Sequence, residues 1–179
     1  GYEVIMSPDE KWIAFRYSYI NKPWELYVQE NAPGKKPIQV TNLSMSDEFK
    51  KYDWKEAKVT KIPARDGQSI YARIYEPTAA KKNGAAVFFV HGAGYLQNVH
   101  YWWSSYFREY MFNNLLADQG YYVMDIDYRG SAGYGRDWRT GIYRHMGGKD
   151  LTDHVDAVNY LVKTYGVNPA HVGLYGGSY

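Results

Sequence analysis

With 179 residues, 45% of them apolar and 22% charged, the chain has the composition of a globular protein and not of a disordered segment. A formal net charge of +2 sets up no field of one sign, and the lysine pairs Lys35–Lys36, Lys50–Lys51 and Lys81–Lys82 sit among polar residues, so no nucleic-acid partner is expected. The longest apolar run, Ala85–Val90, is six residues against the ~20 that span a bilayer, and zero cysteines rule out disulfides and thiolate metal sites.

The first fifty residues read as four short strands: Tyr2–Met6, Trp12–Tyr19, Trp24–Glu30 and Pro37–Thr41. Turn signals separate them at Ser7-Pro8-Asp9-Glu10, Asn21-Lys22-Pro23 and Asn31-Ala32-Pro33-Gly34. In the second strand Trp12, Ala14, Arg16 and Ser18 share one face, and Ile13, Phe15, Tyr17 and Tyr19 the other. Four antiparallel strands in so short a stretch cannot bury their own faces, which is the shape of a single propeller blade. An independent four-stranded meander is the other reading. The 20 Tyr, 6 Trp and 6 Phe suit pleated surfaces and equally suit peptide or sugar pockets.

A polar, charged stretch, Ser44–Lys51, then ends one rhythm and begins another, which predicts a blade over 1–50 and a second domain over 51–179. Lys55–Ile62 and Ser69–Glu76 flank Ala64-Arg65-Asp66-Gly67 as a hairpin. Ala85–Val90 reads as a strand buried on both faces. Tyr106–Asp118 carries Phe107, Tyr110, Met111, Leu115 and Leu116 at helical spacing, and Gly120 ends it. After a strand at Tyr121–Tyr128 comes a second helix, Leu151–Tyr165. Its buried side is predicted as Leu151, Val155, Val158, Leu161, Val162 and Tyr165, with Asp150 capping the first turn and Gly166 as the stop. His171–Tyr175 is the last strand. Helices alternating with strands after a hairpin predict a mostly parallel sheet.

Three motifs carry chemistry. The last strand runs directly into Gly176-Gly177-Ser178, the form of a nucleophile elbow that lifts a serine hydroxyl above the sheet. His91-Gly92-Ala93-Gly94 follows the buried strand, in the loop that supplies one oxyanion donor in α/β-hydrolases; the other donor is the N–H after the nucleophile, that of Tyr179. His91 also reads simply as a packed histidine at a strand end. The third motif, Asp125 to Trp138, spaces its glycines as G-x-x-G-x-G, unlike the dinucleotide fingerprint, and reads as a structural loop with Arg129 tied by ion pairs. Asp150, Asp153, Asp156 and His154 read as capping and solvated residues, so no metal is expected.

Asp127–Gly135, the helix start Gly147–Val158 and Val167-Asn168-Pro169 with Gly176-Gly177-Ser178-Tyr179 together resemble the S9 family of serine peptidases. That family comprises the prolyl oligopeptidases, dipeptidyl peptidases and acylaminoacyl peptidases. Ser7–Phe15, as S-P-D-x-K-x-I-A-F, looks like the propeller repeats of such enzymes, and His91–Gln97 looks closest to bacterial dipeptidyl-peptidase-like members. The resemblance implies an α/β-hydrolase fold, partial and mostly parallel, preceded by the last blade of a β-propeller. It implies a serine peptidase that cleaves short peptides through an acyl-enzyme on Ser178, with proline or alanine preferred on the acyl side and Tyr179 as a wall of that pocket. No cofactor is implied; the partners are a peptide substrate and a second copy in a homodimer. Several relatives have a tyrosine where His91 stands, its hydroxyl serving the oxyanion, and the backbone N–H of Gly92 is the substitute here.

In this fold the triad order is Ser, acid, His, and no residue follows Tyr179. The acid and histidine are therefore expected in a missing C-terminal half of the hydrolase, the other blades are missing too, and the segment alone is expected to be inactive. A carboxylesterase on the same fold, or a binding remnant without catalysis, is the alternative. No signal sequence begins the chain, but Gly1 is not a natural start, so periplasmic, secreted and cytoplasmic locations all stay open.

Overall fold

The computed structural model describes residues 2–92 and 96–178. The chain forms two compact units, Gly1–Glu56 with Tyr101–Ser104, and Ala57–His100 with Ser105–Tyr179.

The first unit is an antiparallel meander of β1 (Tyr2–Met6), β2 (Trp12–Tyr19), β3 (Lys22–Glu30) and β4 (Ile38–Gln39), in that order across the sheet. No closed propeller sheet exists among the described residues. The turn into β2 is locked by Ser7, whose hydroxyl donates to Asp9 at 2.7 Å and accepts the Trp12 N–H at 3.0 Å. β3 begins two residues before the sequence reading placed it. Pro23 falls where the β2–β3 register shifts, between the Tyr17↔Glu25 and Tyr19↔Lys22 pairs, so its missing N–H interrupts no regular ladder. β4 is shorter than expected because only Gln39 and Ile38 pair, with Tyr27 and Val28.

Buried Glu25 fastens the chain that follows β4. Its carboxylate accepts from the Leu43 and Ser44 N–H groups at 2.8 Å, from the Ser44 hydroxyl at 2.6 Å and from the Thr41 hydroxyl. Burial alone would raise the pKa of this acid, but these donors together hold it down at about 2. Ser44–Lys51, expected to be a plain connector, contains a one-turn helix, α1 (Asp47–Lys51). Ser46 caps it by accepting the Phe49 N–H, and Asp47 and Glu48 favour its first turn.

The second unit is a five-stranded sheet of β5 (Lys58–Pro63), β6 (Ser69–Tyr75), β7 (Ala86–Val90), β8 (Tyr122–Asp127) and β9 (Val172–Gly176). Its order is β5-β6-β8-β7-β9; β5–β6 and β6–β8 are antiparallel, β8–β7 and β7–β9 parallel. The split is thus even rather than mostly parallel, because the hairpin joins the sheet directly beside β8. Helices α2 (Phe107–Asp118) and α4 (Lys149–Tyr165) occupy the crossovers, and α3 (Arg136–Arg139) is a single turn after β8. This mixed architecture is consistent with an α/β-hydrolase-like fold.

Strand alternation sends two sets of side chains to opposite faces. Ile70, Ala72 and Ile74 of β6, Ala86 and Phe88 of β7, and Tyr122, Met124 and Ile126 of β8 form one apolar core with Ala157 and Leu161 of α4. The alternate positions, Arg73 and Tyr75, Phe89, and Asp125 and Asp127, are also buried. Tyr75 meets Tyr110 of α2, and Phe89 meets Tyr175 of β9 and Tyr106, at centroid distances of 5.9, 5.1 and 5.0 Å. Aromatic rings thus pack between the sheet and α2.

The buried side of α4 differs from the sequence reading. Leu151 and Val155 are 56% and 42% exposed, while Asp150, Asp153, Asp156, Ala157 and Leu161 are buried. Counting apolar residues misplaced the stripe because Asp153 and Asp156 go inward with partners. Asp153 takes the Arg129 backbone N–H at 2.8 Å and its guanidinium Nε at 3.0 Å; Asp156 takes the same two groups of Arg65 at 2.8 and 3.0 Å. These acids are neither caps nor solvated. Gly166 does end the helix, in the left-handed conformation with φ 70°. In α2 the buried residues are Tyr110, Asn113, Asn114 and Ala117, whereas Phe107 and Leu115 are exposed.

Candidate active site

Parallel strands that end together bring the residues after them together. Val90 pairs with Gly176 at the last position of the β7–β9 ladder, so His91-Gly92 and Gly177-Ser178 leave the sheet side by side. The approach is close: a Cβ built on Gly176 would stand 2.4 Å from the Val90 carbonyl oxygen, which only glycine avoids. Two residues later Ser178 is exposed and has φ 71°, the left-handed region that a residue with a side chain seldom enters. A strained serine directly after a strand is the geometry of an elbow that presents its hydroxyl.

Gly92 faces this serine. A Cβ on Gly92 would lie 3.3 Å from Ser178 Cβ, 3.5 Å from the Tyr106 hydroxyl and 3.6 Å from the Gly177 carbonyl oxygen. The Gly92 N–H donates to the Tyr106 hydroxyl at 3.1 Å. Tyr106 stands at the N-cap position of α2. In sequence it reads only as a helix residue, and no local motif marks it.

The imidazole of His91 is wholly buried and stacks on Tyr128 with centroids 4.6 Å apart. Nδ1 lies 2.9 Å from the Gly92 carbonyl; Nε2 lies 3.2 Å from Asp127 and 3.1 Å from the Ser131 hydroxyl. Its own carbonyl accepts from the Tyr128 hydroxyl at 2.7 Å. The ring thus fastens the loop from within. Tyr179, the other sequence candidate, and Ala93-Gly94 of the loop lie outside the described residues.

Behind His91 runs a buried polar network that motif reading missed. Arg73 forks onto Asp125 at 3.0 and 2.8 Å. Burial opposes the charge on Arg73, but the Asp125 carboxylate outweighs it and keeps the guanidinium more firmly protonated than usual. The Asn98 side chain donates to Asp125 at 3.0 Å, and the backbone N–H groups of Asn98 and Val99 donate to Asp127 at 2.7 and 3.1 Å. Tyr134 adds a hydroxyl at 2.6 Å. Asp127 therefore ties the loop after β7 to the loop after β8. A sequence signal existed: Asp125 and Asp127 alternate with Met124 and Ile126, which sends two acids inward on one face of a central strand.

The glycine-rich loop after β8 is structural, as its sequence suggested. Arg129 binds Asp153 and Asp66, and hydrogen bonding to Asp153 above all raises its pKa. Ala132 N–H donates to the Leu96 carbonyl at 3.0 Å, and Gly133 sits against Gln97, where a Cβ would be 2.6 Å from the amide. Two hollows of about 400 and about 520 Å³ occur elsewhere, beside Glu25 and along Gly133–Thr140. Neither is lined by Gly92 or Ser178.

Residues 103–179 match the sequence profile of the prolyl oligopeptidase family (Peptidase_S9). Over 181 aligned residues the chain is 28% identical to an uncharacterized peptidase, YuxL, of Bacillus subtilis (strain 168), covering 97% of this chain and 25% of that protein. Dipeptidyl aminopeptidase BIII of Pseudoxanthomonas mexicana is 31% identical over 126 residues, 66% of this chain and 17% of that protein. The chain thus spans a quarter or less of the length of these relatives. Among solved structures, it is similar to the acylaminoacyl peptidase of Pyrococcus horikoshii, with a TM-score of 0.71 at 23% identity over 93% of this chain and 25% of the other. A puromycin-hydrolyzing peptidase of Mycobacterium tuberculosis gives 0.73 at 22% identity, over 94% of this chain and 26% of that one. At such identities the structural likeness speaks for the fold.

Proposed function

We propose that the chain is part of a serine peptidase of the prolyl oligopeptidase family, in which Ser178 is the nucleophile that forms the acyl-enzyme. The observation that carries this reading is the left-handed Ser178 after β9, with Gly176 pressed on Val90 and Gly92 facing the serine. The match of residues 103–179 to the family supports it from a separate direction.

In this reading the Ser178 hydroxyl attacks a peptide carbonyl, and charge develops on the carbonyl oxygen. Backbone N–H of Tyr179 and the His91-Gly92 turn provide the oxyanion site, which works because its donors are fixed before the reaction begins. His91 serves by holding Gly92 in place through Asp127. All five histidines precede Ser178, whereas the fold places acid and histidine after the nucleophile, so none of the five is assigned as the general base. A chain without that acid and histidine is expected to be inactive, since triad members act as a unit. The first unit, residues 1–50 in the sequence reading, is a propeller blade that precedes the hydrolase domain.

Treating the whole protein with a fluorophosphonate should label Ser178, and Ser178→Ala should abolish both labelling and turnover; labelling at another serine overturns the assignment. Proline or alanine on the acyl side is the expected preference, because a flat ring beside Tyr179 loses little entropy while a charged side chain would be desolvated without a partner. Comparing kcat/KM on X-Pro, X-Ala and X-Lys amides tests this, and a lysine preference defeats it. Hydrolysis of simple esters without any peptide amide would instead favour a carboxylesterase.

A further inference from the structure

We propose that Arg73, Tyr75 and Asn113 form a closed binding site for one structural water molecule between β6 and α2. The site is independent of any role for Ser178. Arg73 engages Asp125 through Nε and Nη2, at 3.0 and 2.8 Å. Asn113 Oδ1 accepts the Tyr175 hydroxyl at 2.7 Å. Left over are Arg73 Nη1, Asn113 Nδ2 and the Tyr75 hydroxyl oxygen, and none of the three has a hydrogen-bond partner among the described residues. The side chains of Arg73, Asn113 and Tyr75 belong to residues only 1%, 1% and 0% exposed, so bulk solvent does not reach them.

The fold brings these atoms to one place. Arg73 and Tyr75 are two residues apart on β6 and therefore share its α2 face. Register sets Arg73, Asp125, Phe89 and Tyr175 in one row across the sheet, and the Tyr175 hydroxyl reaches up to Asn113. Tyr110, one turn before Asn113 on α2, meets the Tyr75 ring at 5.9 Å. Burial raises the pKa of Tyr75, while the Arg73 charge and the Asn113 side chain act against that rise, so both stand beside its hydroxyl.

The chemistry of the three groups selects the ligand. Arg73 Nη1 and Asn113 Nδ2 can only donate, and together they present four hydrogens; the Tyr75 oxygen is the single acceptor among them. Direct pairing would leave donors bare in the interior, which is costly. One water accepts from Arg73 and Asn113 on its two lone pairs and donates a hydrogen to Tyr75, the usual three bonds of a buried water. An anion would also accept, but Asp125 already neutralises Arg73, and Asp127 acts on the same guanidinium with a second negative charge. The water thus completes the support of the loop after β7. With Nη1 occupied, Arg73 keeps its fork on Asp125, which holds the Asn98 side chain at 3.0 Å.

Crystals of the whole protein, at a resolution that shows ordered water, test the site directly. One peak should lie within about 2.7–3.2 Å of all three atoms. Arg73 or Asn113 bonded straight to the Tyr75 oxygen, with no peak between them, overturns the proposal. Crystals grown with bromide separate water from an anion, and an anomalous peak among the three atoms counts against water. In solution, oxygen-17 relaxation dispersion should count one long-lived water fewer in Tyr75→Phe than in the wild type, and equal counts reject the site. Should Tyr75→Phe fail to fold, the wild-type crystals still decide.

Discussion

On the α4 side of the five-stranded sheet, Ile70, Ile74, Phe88, Met124 and Ile126 lie under Ala157 and Leu161, and contact there is non-directional. On the other side, the equally buried Arg73, Asp125, Asp127 and His91 are joined by hydrogen bonds at set distances. The first face supplies burial, at roughly 25 cal/mol per Å² of apolar surface. The second adds little net stability, since desolvating charges offsets most of their attraction. What it provides is direction: Asp127 fixes the Asn98 and Val99 backbone and, through His91, the Gly92 turn opposite Ser178. Packing holds the sheet, and the polar face aims the loops.

The largest expected effect comes from unbalancing the polar face. Arg73→Met leaves the Asp125 carboxylate buried without its cation and should cost about 3–5 kcal/mol, read from the shift of a urea midpoint. Adding Asp125→Leu to Arg73→Met should recover most of that loss, and a double variant no more stable than the single would contradict the comparison. On the apolar face, Leu161→Ala should cost about 2–4 kcal/mol by leaving a cavity, with kcat nearly unchanged. Asp127→Asn is milder for stability, about 1–3 kcal/mol, because it weakens bonds without removing bulk. It should nevertheless lower kcat more than Leu161→Ala does and speed amide exchange at Asn98 and Val99; equal kinetics for the two would erase the distinction between the faces.

The smallest effect is a pH dependence on the α4 side. Burial lowers the pKa of His154 below 6.5, although its Nδ1 is held by the Asp150 carbonyl at 2.8 Å and the ring lies 5.2 Å from that of Tyr128. The unfolded chain then takes up a proton near pH 6.5 while the folded chain takes it up only at lower pH, so stability declines as pH falls below about 6.5. His154→Gln should flatten that decline, read from the urea midpoint at pH 7 and at pH 5. An unchanged slope would place the titration elsewhere.

The strands, the hairpin turn at Asp66-Gly67 and the tight turn at Ser178 were legible because they depend on local chemistry: alternation, turn residues and the glycines before the serine. What escaped depends on partners far away in the chain. The buried stripe of α4 was misread because Asp153 and Asp156 look solvated until Arg129 and Arg65 arrive from 24 and 91 residues away. Tyr106 reads as a helix residue because its link to Gly92 spans 14 residues and two elements. One-turn α1 was legible in principle, since Ser46 followed by Asp47-Glu48 is a capping signal, yet its charge made it resemble a linker.

The backbone at Ser178 also limits what evolution or an engineer can install there. With φ at 71°, a side chain branched at Cβ would collide with its own peptide, so Ser178→Thr, chemically still an alcohol, should either fail to fold locally or drag Val172–Gly176 out of register with β7. Ser178→Cys carries no second branch and should leave the sheet intact. The turn therefore admits a thiol in exchange for the hydroxyl but bars a secondary alcohol, a restriction set by one dihedral angle.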